Sequence, residues 1–421
     1  MKYDLDYIRN QFPALKVEVN GFPAAYFDGP GGTQVPQRVL DAMVHYLVYC
    51  NANAGGYFKT SMESDQVISG ARKAIADFLG SEPEEIAFGQ NTTTLMYQLA
   101  LALGREKGKR DEILITEIDH EANRGPWLAL AEKGFKIREV NFDAETCTLD
   151  MNDYKAKLNE RTYLAAFNYA SNGVGTVSDV KEMVRLAHEA GALTVIDAVH
   201  YALHGPLDVK YLETDFLLCS AYKFFGPHLG IFYGRREQFE KLSAYRLRVQ
   251  SDEIPFRIET GTLNHEGIAG AAEAVDFIAD IGARFGIQES ETAGLSVREL
   301  SKRRKQVIAG MEAMEHYEQP LAQKIIDDLT SIKKVRVYGP PHGYPRTSTV
   351  SFIVEGLPAG KVAAALGEKG IFVWDGHFYA IRLVEKLGLI DSGGLIRVGL
   401  SPYNTEHEIV RLLEEVKRIA S

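Results

Sequence analysis

The sequence predicts an α/β protein: a mostly parallel sheet covered by helices on both faces, then a smaller α+β domain. Three observations carry this reading. Two apolar runs, Leu193 to Ile196 and Phe216 to Cys219, have the length and the β-branched or bulky content of buried strands. Similar runs at Ile113 to Thr116, Ile137 to Val140 and Tyr163 to Phe167 alternate with helical patterns, the signature of a parallel sheet built from crossover units. Past residue 320 the order changes to a helix, strands near Val335 and over Val350 to Val354, a helix after Gly360, strands at Ile371 and Ile396, and a final amphipathic helix.

Composition narrows the function. The 421 residues are 45% hydrophobic, enough for ordinary buried cores, and carry a formal charge of −10. A negative chain gains nothing from nucleic acid or anionic membrane, so small-molecule chemistry is expected. The basic run Lys302 to Lys305 falls in a helical pattern and reads as a solvated face. The opening MKYDLDYIRNQF has charges every few residues, which predicts neither a signal peptide nor a membrane span and a cytoplasmic protein. Cys50, Cys147 and Cys219 are odd in number and far apart, which suits neither a disulfide framework nor a zinc site.

From Ala25 the text gives a short strand, a Gly-Pro-Gly-Gly turn and a helix with Leu40, Met43, Val44 and Leu47 at helical spacing. The turn is not a dinucleotide fingerprint, because Gln34 stands where the last glycine belongs. NANAGGYFKTS is a second glycine-containing loop, before a helix bearing Val67, Ala71, Ile75 and Phe78 on one face. Residues 86 to 103 read as strand, polar turn and apolar helix. Backbone N–H groups and the hydroxyls of Thr92, Thr93 and Thr94 at that helix start suit a phosphate, although an ordinary threonine cap has the same text. His120-Glu121 lacks the second histidine of a zinc protease, since position 124 is arginine, so no metal site is expected. A helix is predicted from about Asp179 to Ala190, another to about Phe285 and a third from about Ser296 to Glu315.

Asp197 ends the first central strand, and Lys223 follows the second after Ser220 and Tyr222. In parallel strands of one sheet the carboxylate and the amine emerge at the same carboxyl edge, where open α/β sheets bind ligands. That pair suits pyridoxal phosphate: a lysine for the Schiff base and a carboxylate that keeps the pyridine nitrogen protonated. A solvated loop lysine and a capping aspartate would satisfy the same spacing. Asn172 falls at the same edge.

With FPAL, NGFPAAYFD, TQVPQRVLDAM, DHEANRGPW, IDAVH, SAYKFFGP, ETGTLN and RVGLSPYNT in this order, the chain resembles the class V aminotransferases, a family of fold-type I pyridoxal-phosphate enzymes. It is most similar to the cysteine desulfurase/selenocysteine lyase branch. The resemblance implies an arm over residues 1–20 packing with the small domain, a large cofactor-binding domain with a seven-stranded sheet over 21–285, and a small domain over 286–421. It also implies a homodimer acting on an amino acid. Lys223 would be the Schiff-base lysine, Asp197 the partner of the pyridine nitrogen and His120 the histidine stacked on the ring. Asn172 and His200 would sit beside the phenolic oxygen, His200 replacing a usual glutamine. Thr92, Thr93, Ser220 and Tyr222 match phosphate positions, and Thr262 would reach the partner subunit's phosphate. Arg397 would clamp the substrate carboxylate, and Gly31, Gly55, Trp374 and Tyr379 are candidates for the substrate pocket.

Three departures from that branch stand on the substrate side. Where a persulfide-forming cysteine is expected, the chain reads Gly376-His377-Phe378-Tyr379; the loop that usually carries His-Arg reads Gly55-Gly56; and Trp374 replaces an arginine. The implied activity is therefore α-carbanion chemistry of the C–S lyase or β-elimination type without a protein persulfide. Transamination and epimerisation begin the same way, and a non-catalytic cofactor-binding sensor or partner subunit is the rival of another class. Retention of both Lys223 and Arg397 speaks against that rival.

Overall fold

The computed structural model describes residues 3–286 and 300–421. Seven strands form the main sheet: β1 (Ile86–Gly89), β2 (Glu112–Thr116), β3 (Lys136–Val140), β4 (Thr162–Asn168), β5 (Leu193–Asp197), β6 (Phe216–Ser220) and β7 (Gly230–Gly234), in the spatial order β1-β7-β6-β5-β4-β2-β3. Only β7 runs antiparallel to its neighbours. The sequence reading missed β7, which follows β6 through the tight Lys223-to-Gly230 connection. Successive residues of a strand point to opposite faces, so the apolar runs feed two cores. Ile196, Leu217 and Ile231 face one layer, while Val195, Leu218 and Phe232 face the other.

The helices that matter to the site are α1 (Gln37–His45), α2 (Lys59–Leu79), α3 (Thr92–Leu103), α4 (Val180–Glu189), α5 (His265–Phe285) and α6 (Lys302–Ser331). Ala71, Ile75 and Phe78 of α2, Met183 and Val184 of α4 and Ile268 and Val275 of α5 join one core. Leu95, Met96 and Leu99 of α3 join the other. The Asp179 side chain accepts from the Glu182 N–H and starts α4 as a capping aspartate should.

Two expectations are corrected. The helix read as ending near Glu315 continues through Pro320 to Ser331, because Leu321, Ile325 and Leu329 bury against the second sheet and outweigh one missing N–H; its predicted start at Ser296 lies outside the described residues. The run Lys302 to Lys305 is not all solvated. Arg304 is buried and donates to the carbonyls of Phe78 and Leu207 and to Asp208, tying α6 to the large sheet's helices.

A second, antiparallel sheet contains β8 (Val335–Tyr338), β9 (Thr349–Val354), β10 (Trp374–Gly376) and β11 (Leu395–Gly399), ordered β8-β9-β11-β10. The run at Ile371 pairs outside it, in parallel with Ala25–Tyr26. The chain start reaches both α5 and the last helix, through Tyr7 to Asp280 and Arg9 to Glu408. No described helix is long and apolar enough to cross a membrane.

Candidate active site

A cavity of about 840 Å³ opens where the carboxyl edge of the main sheet meets β10 and β11. It is lined by Thr92, Thr93, His120, Asn172, Asp197, His200, Ser220, Tyr222, Lys223 and Arg397, and by Gly31, Trp374 and Tyr379. Two candidates lie elsewhere: Gly55 and Thr262 are exposed and do not line it.

Asp197 is the last residue of β5, held between Asn168 of β4 and Leu218 of β6. Its Oδ1 accepts from the Val199 N–H at 2.9 Å, and burial pushes its carboxyl up to about 6. Lys223 ends the short turn after β6 and donates from Nζ to the Pro30 carbonyl. Burial, reinforced by Arg397 and opposed by Asp197 and Asp28, brings its amine down to about 7. A buried amine of that kind spends much of its time neutral at physiological pH, which is the nucleophilic form.

Asn91, not a threonine, caps α3, accepting from the Thr94 N–H at 2.8 Å. Thr92 is thereby released. Its hydroxyl donates to the Cys219 carbonyl at 2.8 Å and lies 2.6 Å from Ser220 Oγ, joining the helix start to the end of β6. His120 Nδ1 accepts from the Ala122 N–H at 3.0 Å, and burial, with Lys223 and Arg397 nearby, lowers the imidazole to about 4, so it stays neutral. His200 Nε2 lies 3.2 Å from Thr347 Oγ1 and 3.0 Å from Thr349 Oγ1. Burial also lowers its pKa well below the ordinary imidazole value.

Arg397, on β11, is buried and donates to the Asn172 carbonyl at 2.8 Å while its guanidinium lies over the Phe378 ring at 4.2 Å. Among the described residues it makes no ion pair, and its Nε has no partner; burial lowers it to about 9. A buried guanidinium without a carboxylate is costly unless an anion arrives. The Asn172 amide donates to the Phe378 carbonyl at 2.8 Å and leaves Oδ1 buried without a partner.

Several lining residues escaped the sequence reading. Tyr97 lies one helical turn beyond Thr93, a spacing that would have found it. Asp28 lines not this cavity but a smaller neighbouring one that shares Gly31, Tyr222 and Trp374; it opens the Gly-Pro-Gly turn and is pushed up to about 6 by burial, with a bond from its own backbone N–H, Arg397 and Lys223 pulling it back down. Phe378 and Tyr379 both adopt positive φ, 52° and 58°, a rare conformation for side-chain-bearing residues that no sequence pattern announces. It is held by the Asn172 amide on the Phe378 carbonyl and by the Glu121 N–H on the Tyr379 carbonyl. Among the described residues no cluster of His, Cys, Asp or Glu is arranged to hold a metal ion.

The family profile of class V aminotransferases matches residues 25–308 and 300–412. An aminotransferase-like protein of Gibberella zeae is 31% identical over 433 residues, covering 99% of this chain and 98% of that protein. A probable cysteine desulfurase of Synechocystis is 30% identical over 427 residues, covering 97% and 94%. The solved apo structure of a cysteine desulfurase from Thermococcus onnurineus has a TM-score of 0.85 at 29% identity, over 100% of this chain and 98% of that one. With its sheet order, its sheet-edge cavity and matches along almost its whole length, this chain belongs to the class V aminotransferase family of pyridoxal-phosphate-dependent enzymes.

Proposed function

We propose that this cysteine desulfurase-like enzyme cleaves a β-substituent from an amino acid without forming a persulfide on itself. One observation carries the reading: the cavity gathers Lys223, Asp197 and Arg397, and none of the three cysteines lines it. Cys50, Cys147 and Cys219 are all buried elsewhere, and burial raises the thiols of Cys147 and Cys219 above their ordinary value.

The residues suit pyridoxal phosphate. Lys223 would attach it, Asp197 would face its ring nitrogen, His120 would cover the ring, and Asn172 with its free Oδ1 and His200 would flank the phenolic oxygen. Thr92, Thr93, Ser220 and Tyr222 would hold the phosphate at the start of α3. When bound, the cofactor acts as an electron sink that makes the substrate's α-proton removable. Arg397 takes the α-carboxylate in two parallel hydrogen bonds and meets the buried guanidinium's need for an anion. Lys223 Nζ takes the proton from Cα, and the bond from Cβ to its substituent breaks with the electron pair leaving on the substituent. For a sulfur leaving group, one water is consumed, and the products are the thiol, pyruvate and ammonia.

The active form is proposed to be a homodimer. Thr262 stands exposed in a loop pinned at both ends: Glu259 is held by Arg72 at 2.8 and 2.7 Å, and Asn264 caps α5. Leu40 and Val44 of α1 and Leu47 just beyond it remain exposed, as does Tyr57 in the loop that carries Gly55. A second copy would cover these groups and bring Thr262 to its neighbour's phosphate.

Incubation of the loaded protein with cysteine and with S-substituted cysteines, with pyruvate, ammonia and sulfide measured beside intact-protein mass, tests the proposal. Equal yields of pyruvate and ammonia with unchanged protein mass are expected. Alanine release with one added sulfur on Cys50 would overturn it, as would full activity from a monomer in sedimentation.

A further inference from the structure

We infer that the substrate carries a bulky, apolar side chain, an aromatic ring or a large thioether, and that Trp374 seated against Gly31 selects it. The inference rests on the amino-acid reading above and adds the substrate class. Trp374 and Arg397 are direct partners across the β10–β11 ladder. Directly opposed residues of an antiparallel pair project from the same face with neighbouring Cβ atoms. A substrate whose carboxylate is held by Arg397 therefore carries its side chain toward the indole.

Other rings line the same cavity. Tyr97, Trp374 and Tyr379 line the cavity yet remain 43%, 52% and 67% exposed. Large rings left open at a cavity mouth are apolar surface awaiting a cover. A thiol-sized side chain would leave them wet. Charge points the same way: among the described residues Lys223 and Arg397 are the only lysine and arginine in the lining, and both have proposed roles. Besides Asp197 the lining carboxylates are Glu121, paired with Arg124 at 3.2 Å, and Asp375, exposed beside Trp374. A second carboxylate on the substrate would find no further lysine or arginine among the described lining residues and would meet the Asp375 carboxylate beside the indole.

Gly31 fixes the ring in place. A Cβ at position 31 would overlap the indole Nε1 and come within 2.8 Å of its Cδ1, so the indole lies directly on the turn backbone, an approach that only glycine permits. Trp374 also lines a second, neighbouring cavity of about 220 Å³, together with Asp28, Thr33, Tyr222 and His228. The indole thus borders both spaces. On the Tyr97 side, a Cβ at Gly125 would meet only the Tyr97 hydroxyl, at 3.3 Å.

The test uses amino acids that bind but cannot lose an α-proton. α-Methylphenylalanine, S-benzyl-α-methylcysteine, α-methylserine and α-methylaspartate are titrated calorimetrically into the loaded enzyme, its Trp374→Ala variant and its Gly31→Ala variant. One or both bulky analogues should bind about tenfold or more tighter than the serine and aspartate analogues, and both variants should shrink that ratio. Whichever bulky analogue binds tighter separates the aromatic source from the thioether source. Equal or tighter binding of the aspartate or serine analogue overturns the inference, and so does a preference that survives in both variants. A change of oligomeric state in Trp374→Ala, seen by sedimentation, would overturn it by assigning the indole to a contact between copies. If no analogue binds while the cofactor still does, the amino-acid reading itself falls, a result distinct from binding with the wrong preference.

Discussion

The two walls of the cavity are built by different means. Asp197 ends β5 with paired neighbours on both sides and Ser220 ends β6 opposite Gly230 of β7, so strand pairing sets their height and direction. Lys223 follows within three residues, so the groups proposed to hold the cofactor sit at or just past the hydrogen-bonded sheet edge. Trp374, Phe378 and Tyr379 hang instead on β10, a three-residue edge strand, and on a turn with two consecutive left-handed residues. That turn keeps its shape through long-range hydrogen bonds to Asn172 and Glu121. A regular sheet edge preserves a chemistry, while an irregular turn on a short edge strand can be rebuilt to take another substrate without disturbing it.

Substitutions should therefore separate the walls by size of effect. Lys223→Ala is the most severe: turnover falls below detection, and borohydride treatment followed by peptide mass mapping finds no attached cofactor. A trapped adduct on another lysine would break the comparison at its root. Asp197→Asn should keep the fold, because the amide oxygen still accepts from Val199, yet slow α-proton removal about 10³-fold, roughly 4 kcal/mol of barrier. Exchange of the Cα hydrogen for deuterium at the unaltered rate would contradict it. Arg397→Lys replaces a planar fork with a point charge, and KM should rise about 10-fold to 100-fold with a much smaller change in kcat. Steady-state kinetics decides this.

The pH dependence sharpens the same contrast. Lys223 is lowered by burial to about 7, so between that pH and the ordinary lysine value the folded state binds fewer protons than the unfolded chain. Its burial therefore costs the cofactor-free protein stability below about pH 7, and that cost is relieved as pH rises toward the ordinary lysine range. Capture of the aldehyde by the neutral amine should rise through about pH 7, followed by absorbance after mixing. Half-maximal capture near the value of a free lysine would refute this. The smallest effect is expected on the turn: Tyr379→Phe keeps the ring beside His120, at 5.4 Å between centroids, and should change kcat/KM by only about threefold, the scale of one exposed hydrogen bond. A loss of 10²-fold or more would make the phenol an acid or donor in the reaction.

Much of the cofactor side was legible from the text alone. Apolar runs that stop on Asp197 and Ser220 are strands that end at a sheet edge, and the local pattern suffices because a strand's neighbours in sequence set where it stops. Helix starts were legible for the same reason: Asp179 and Asn264 act on N–H groups three residues away. β7 was not legible, since GIFYG offers no alternation and its direction depends on which strands flank it.

What the sequence by itself determined is the layered α/β plan, the strand ends that carry the ionisable groups and the family to which the chain belongs. Tertiary structure alone decided which groups face each other. Arg397 is 174 positions from Lys223 and Trp374 is 343 from Gly31, yet each pair meets around one cavity. Such meetings depend on how one sheet docks on the other, a sum of many weak long-range contacts that leaves no periodic trace in the chain. The same holds for the lowered pKa of Lys223 and the unpaired charge of Arg397. Burial sets both, and burial belongs to the assembled molecule.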